Sequence, residues 1–156
     1  MAEEVYVAVI GASAADEKTG AMARELGALL AQKGYTLVTG GIGGVMRAAS
    51  EGARQAGGHT VGLLPGLERG QANEFVEYPV VTGLGHMRNF LVVANADIII
   101  AVEGGWGTLS ELALARKIGK PVIAVGRWGA LDGVIPAMDP AEAVALADRA
   151  LGTATA

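Results

Sequence analysis

ADIIIAVEGGWGTLSEL, residues 96–112, runs an apolar stretch into a glycine turn and then into a helix-like segment. The stretch is nearly continuous in isoleucine and valine, as a strand covered on both faces should be. Gly104, Gly105 and Gly107 permit unusual backbone angles at the turn. Thr108 can cap the helix that follows or offer its hydroxyl to an anion. Glu111 stands three residues beyond Thr108, at capping-box spacing. Two readings of Glu111 therefore stand side by side: a carboxylate that satisfies an orphan N–H, and one that acts on a ligand.

The same strand–turn–helix pattern recurs along the chain. Apolar runs occupy 5–12, 35–41, 59–66, 78–83, 96–105 and 120–128. Between them, 19–34 places Met22, Leu26, Leu29 and Leu30 at helical spacing and stops at Gly34. Segments 45–58, 85–96 and 108–120 read as helices too, and 139–151 opens with Asp139-Pro140, a good helix start. Strand and helix alternating this often predict an α/β fold: a Rossmann-like, doubly wound parallel sheet with helices on both faces. No linker interrupts it, so residues 1–156 are expected to form one domain.

Composition narrows the function classes. Of the 156 residues, 51% are hydrophobic and 18% charged, which suits a packed globular protein. The net charge of −4, without a Lys/Arg-rich run, argues against a nucleic-acid partner. The absence of cysteine excludes thiolate metal sites and a cysteine nucleophile, and no metal site is expected. MAEEVYVAVIGA has the wrong pattern for a signal peptide, and no apolar run approaches the ~20 residues that span a bilayer. A cytoplasmic protein without a membrane partner is the expectation.

In open parallel sheets the ligand lies beyond the carboxyl ends of the strands, where strand order reverses. The loops there are rich in glycine. GASAAD (11–16) offers Gly11 and Ser13. TGGIGGVM (39–46) offers Gly40, Gly41, Gly43 and Gly44 at a helix start, where free N–H groups suit a phosphate. It is neither a dinucleotide fingerprint nor a P-loop, since Met46 replaces the third glycine and no Gly-Lys-Ser/Thr follows. GHMRN (85–89) brings Arg88 to the start of another helix, within reach of the same cavity, with His86 as a weaker candidate. The loop 65–75 is expected to cover part of the pocket, with Arg69, Gln71 and Asn73 as contacts.

Taken in order, TGGIGGVM, GHMRN and EGGWGTLSE resemble the motif series of the Lonely guy (LOG) and lysine-decarboxylase-like Rossmann group. The similarity spans residues 5 to 128 and is closest to the short, molybdenum-cofactor-carrier-like branch of nucleotide-binding proteins. LOG enzymes are phosphoribohydrolases with Pro-Gly-Gly-x-Gly-Thr-x-x-Glu and Met-His-x-Arg-Lys signatures. The first reads Glu103 to Glu111 here, with Glu103 in place of proline; the second reads Gly85 to Asn89, with glycine and asparagine in place of methionine and lysine. By resemblance Arg88 and Glu111 match the family's catalytic arginine and glutamate.

The resemblance implies a phosphate-bearing ligand, an AMP-like nucleotide or a molybdopterin-type cofactor, bound in a carrier or sensing role. The contacts expected from the motifs are Gly11, Ser13, Gly40, Gly41, Gly43, Gly44, Arg88, Gly104, Gly105, Gly107 and Thr108. No cofactor is required. The alternative is hydrolysis of nucleoside 5′-monophosphates, with Glu111 stabilising the charge that develops on the ribose. A negative Glu103 beside a phosphate opposes either reading unless it points away or meets a cation. Lysine decarboxylation is rejected, because Lys33, Lys117 and Lys120 sit at helix ends away from the ligand edge and Lys18 in an acidic loop. Relatives form dimers or larger assemblies, so a homo-oligomer, dimer or tetramer, is expected.

Overall fold

The computed structural model describes residues 3–153; the outermost residues of the expected domain lie outside that range. The strands are β1 (Tyr6–Gly11), β2 (Thr36–Thr39), β3 (Thr60–Leu64), β4 (Tyr78–Val81), β5 (Ile98–Val102), β6 (Val122–Val125) and β7 (Ile135–Ala137). They form one sheet in the order β4-β3-β2-β1-β5-β6-β7. Every pairing in it is parallel.

The helices are α1 (Glu17–Gln32), α2 (Val45–Gln55), α3 (Arg88–Ala94), α4 (Trp106–Lys117) and α5 (Pro140–Leu151). Alternate residues of each strand serve opposite faces, which is why both faces are apolar. Val7, Val9, Ile98 and Ile100 pack against Leu26 and Leu30 of α1, Ala49 of α2 and Val144 of α5. Ala8, Ile10, Ile99 and Ala101 pack against Val92 and Val93 of α3 and Leu112 and Ala115 of α4. The doubly wound architecture expected from the alternation is what forms.

Three local features differ from the sequence reading. First, α1 starts at Glu17, two residues before the expected 19, because the Asp16 side chain accepts from the Thr19 N–H at 2.7 Å and caps it. Second, β7 had no counterpart among the expected strands. It has three residues with Pro136 at its centre, and only the sheet edge tolerates that missing N–H. Third, β4 is not covered on both faces: it is the opposite edge strand, and Tyr78, Val80 and Val81 stay exposed. Among the described residues no helix is long and apolar enough to cross a membrane.

The topology decides where a ligand can sit. The chain winds outward from β1 to β4, then returns to lay β5 on the other flank of β1. Gly11 and Val102, the last residues of those two strands, lie side by side in the register. The loops that leave them diverge to opposite faces, and a crevice opens between them.

Candidate functional site

A cavity of ≈ 350 Å³ occupies that crevice. Val9 and Ile10 of β1 give it an apolar floor, and Gly11 and Ser13 continue its wall. Gly40 and Met46 line it from beyond β2, and His86, Arg88 and Asn89 from the start of α3. The fourth side is the start of α4, with Gly105, Trp106, Gly107, Thr108 and Glu111. Arg88 and Glu111, paired only by motif in the sequence, thus face one cavity.

Arg88 is held in place by neutral acceptors. Its Nε donates to the Leu63 carbonyl at 2.9 Å, one Nη to the side-chain oxygen of Asn89, and the other to the Gly40 carbonyl at 3.4 Å. Among the described residues no carboxylate forms an ion pair with it. Burial lowers its pKa from the ordinary arginine value, and the negative charge of Glu111 works the other way. The result is a fixed guanidinium whose positive charge is not neutralised in the first contact shell. Gly40 makes room for it, since a Cβ there would stand 2.8 Å from the Arg88 Nη2.

The α4 turn supplies donors. Its N-cap is Gly105, which brings no side-chain cap, and the first helical N–H to find an acceptor is that of Leu109. Among the described residues no acceptor meets the N–H groups of Trp106, Gly107 or Thr108. Orphan N–H groups at a helix start, with the positive end of the helix dipole behind them, form an anion site. Of the two readings of Thr108, the cap is the one excluded: α4 begins two residues before it, and Thr108 is buried with its hydroxyl against Gly104.

Glu111 lies on the second turn of α4 and is 8% exposed. A capping box is excluded, because no backbone N–H donates to its carboxylate among the described residues. Burial pushes its carboxyl up to about 7, against the opposing pull of Arg88. A carboxyl that titrates near neutrality inside a cavity is suited to proton transfer and marks functional sites more often than chance.

Other expected contacts are placed elsewhere. Gly41 packs on Gly62 and Leu64, and its N–H is taken by the Thr39 hydroxyl at 3.0 Å. A Cβ on Gly44 would overlap the Ala12 carbonyl, and one on Gly43 would stand 3.5 Å from the Ser13 carbonyl. Gly41 and Gly44 fit the β2–α2 loop tightly against its neighbours, whereas Gly43 is only in ordinary contact; of the four in TGGIGGVM only Gly40 lines the cavity. Gly104 lies just behind the lining, with φ 110° and Thr108 against its α-carbon. The 65–75 loop contributes no lining residue: the Asn73 amide instead donates to the carbonyls of Gly41 (3.2 Å) and Ile42 (2.9 Å), pinning the glycine loop.

Glu103 has φ 52°, the one non-glycine residue with positive φ among the described residues. That backbone carries its carboxylate over Gly126, into a separate hollow shared with Lys18, Thr19 and Met138. It points away from the cavity that Arg88 lines, so it does not oppose a phosphate there. A proline at this position is excluded by the same φ.

Asn89, Met46 and Trp106 were not singled out as site residues by sequence reasoning. Asn89 is 7% exposed, accepts from Arg88 and contacts the Ser110 hydroxyl at 3.4 Å. Its only sequence signal is adjacency to Arg88 at a helix start. No lysine lines the cavity, and Lys33 is paired with Asp148 at 2.9 Å.

Residues 4–149 match the SLOG cluster4 family. The chain belongs to that family. Among solved structures, the molybdenum cofactor binding protein of Rippkaea orientalis superposes with a TM-score of 0.92 and 35% identity, covering 97% of this chain and 99% of its own. The molybdenum cofactor carrier protein of Chlamydomonas reinhardtii gives a TM-score of 0.89 at 36% identity, covering 96% and 99%. The cytokinin riboside 5′-monophosphate phosphoribohydrolase of Mycobacterium tuberculosis is 37% identical over 123 residues, 72% of this chain and 65% of that enzyme. The chain therefore spans less than two-thirds of that hydrolase. The carrier-like and LOG-like resemblance read from three motifs holds across this SLOG cluster4 member.

Proposed function

We propose that the protein is a cytoplasmic binder of a phosphate-bearing, nucleotide-like ligand, an AMP-like nucleotide or a molybdopterin-type cofactor, in a carrier or sensing role. The observation that carries this reading is the placement of an un-neutralised Arg88 and the orphan N–H groups of Trp106, Gly107 and Thr108 around one cavity. Both elements select an anion, and neither requires a metal ion to do so. They fit the phosphate of a molybdopterin-type ligand as well as that of a nucleotide. The likeness to proteins named for the molybdenum cofactor extends over nearly the whole of both chains, whereas the hydrolase is matched over part of its length.

Phosphoribohydrolase action is the second reading, and Glu111 favours it specifically. With the phosphate anchored, a carboxyl titrating near pH 7 at the cavity wall can accept a proton from water or face the positive charge that develops on the ribose. Incubation with AMP and with a cytokinin-type monophosphate separates the two. Binding without release of free base, seen as a thermal shift, supports the carrier reading. Release that disappears in Glu111→Gln establishes the hydrolase instead, and no thermal shift with AMP, the cytokinin-type monophosphate or a molybdopterin-type ligand overturns both.

The exposed apolar side chains of Tyr78, Val80 and Val81 on β4, Leu84 and Met87 just before α3 and Phe90 on α3 support a homo-oligomer built on that edge. Light scattering after size exclusion tests it; a monomer at micromolar concentration contradicts it.

A further inference from the structure

Trp106 is 85% exposed, although tryptophan is highly buried on average in folded proteins. It contributes nothing to either core cluster, and it is not explained by helix formation, for which tryptophan is an ordinary residue. Its position is specific, however. It is the first residue of α4, between Gly105 and Gly107, and it lines the cavity that holds Arg88 and Glu111. Side chains on a helix lean toward the N-terminus, so the indole leans over the very end of α4 that presents free N–H groups. Met138 and Leu67 are comparably exposed, yet neither borders this cavity.

Glycine on either side leaves the indole without a side-chain neighbour in sequence, and its faces are open for contact. From the other wall His86, also exposed, lines the same opening. The cavity is thus graded. Fixed positive charge and amide donors lie inside, apolar Val9, Ile10 and Met46 form the floor, and an exposed aromatic face stands at the rim.

We infer that Trp106 is the specificity-determining residue of this site, a platform on which a flat heteroaromatic ring stacks once the ligand's phosphate is seated at the α4 turn. The inference rests on the phosphate-binding reading above and narrows it: the ligand class is a phosphate ester that carries a planar, fused heterocycle, and a bare sugar phosphate is a poor ligand. Stacking on an aromatic side chain tolerates many rings, so Trp106 selects for the presence of a ring and leaves its edge to other groups.

The test compares AMP with ribose 5-phosphate by calorimetry, in the native protein, Trp106→Ala and Trp106→Phe. Stacking energies of this kind correspond to roughly 5- to 150-fold in affinity. The native protein should prefer AMP by a factor in that range, Trp106→Ala should lose the preference while binding ribose 5-phosphate unchanged, and Trp106→Phe should keep most of it. Tryptophan fluorescence gives an independent readout, because the second tryptophan, Trp128, is buried and Trp106 is open. AMP should quench the open component, and ribose 5-phosphate should not. Equal affinity for the two ligands in the native protein overturns the inference and leaves phosphate binding standing, as does equal weakening of both in Trp106→Ala. Emission already shielded from iodide, and dependent on protein concentration, places the indole against another copy and overturns it as well. Failure of both ligands to bind the native protein overturns the phosphate reading itself.

Discussion

Replacing Glu111 by glutamine asks whether its carboxyl is as poorly compensated as its surroundings indicate. The group is 8% exposed, and Arg88 offsets only part of the desolvation, so the carboxyl titrates near 7 in the fold against an ordinary value of 4.5. That gap corresponds to about 3 kcal/mol. The sign follows from proton counting. Between pH 4.5 and 7 the unfolded chain has released this proton and the native state still holds it, so rising pH favours unfolding. The contribution is absent below pH 4.5, grows through that window and is constant above about 7. Glutamine mimics the neutral acid and cannot ionise. Thermal melts of Glu111→Gln and the native protein should therefore run nearly parallel at pH 4.5 to 5. At pH 8 the variant should gain about 3 kcal/mol on the native protein, or about 6–12 °C in Tm for a chain of this length. A Tm difference that does not change with pH refutes the argument, because it means that Glu111 is already charged and compensated in the fold.

Three further outcomes follow from the same geometry. Arg88→Ala removes the fixed cation and should weaken AMP binding by about 10- to 100-fold in calorimetry, the scale of charged hydrogen bonds, with Arg88→Lys recovering part of it; unchanged affinity contradicts the placement of the phosphate. Glu103→Gly should stabilise the fold by about 1 kcal/mol in urea unfolding by relieving a positive φ, whereas Glu103→Pro should destabilise it by more than about 1 kcal/mol; a neutral proline variant would mean that the turn is built differently. Tyr35→Phe removes the hydroxyl that donates to Asp148 at 2.6 Å and should cost about 1–2 kcal/mol while leaving ligand affinity untouched.

The alternation of apolar runs and helical segments carried the fold, because both periods are set by local geometry and survive in a single chain. What local geometry does not encode is direction. TGGIGGVM and EGGWGT look alike as strings, and both have the composition of a phosphate loop. In the structure, Gly41 packs against β3, Gly44 against the β1–α1 loop, and Gly40 gives way to Arg88. At the N-terminus of α4, Trp106, Gly107 and Thr108 line the cavity and their N–H groups have no acceptor among the described residues. Glu103 shows the limit most clearly, since its spacing placed it beside the phosphate and its positive φ turns it toward Gly126. Asn73 similarly lies in a loop drawn as a lid but spends its amide on the backbone of the loop beneath it. Arg88 and Glu111 were recoverable as a pair because three motifs agreed in order along the chain.

The most direct test of the account is an amide NMR titration of the native protein with AMP and, separately, with adenosine. If the start of α4 and Arg88 hold the phosphate, the amide signals of Trp106, Gly107 and Thr108 and the Nε signal of Arg88 move with AMP and stay in place with adenosine at equal concentration. Movement centred instead on Gly43 and Gly44 at the start of α2, or the same pattern with both ligands, would contradict it.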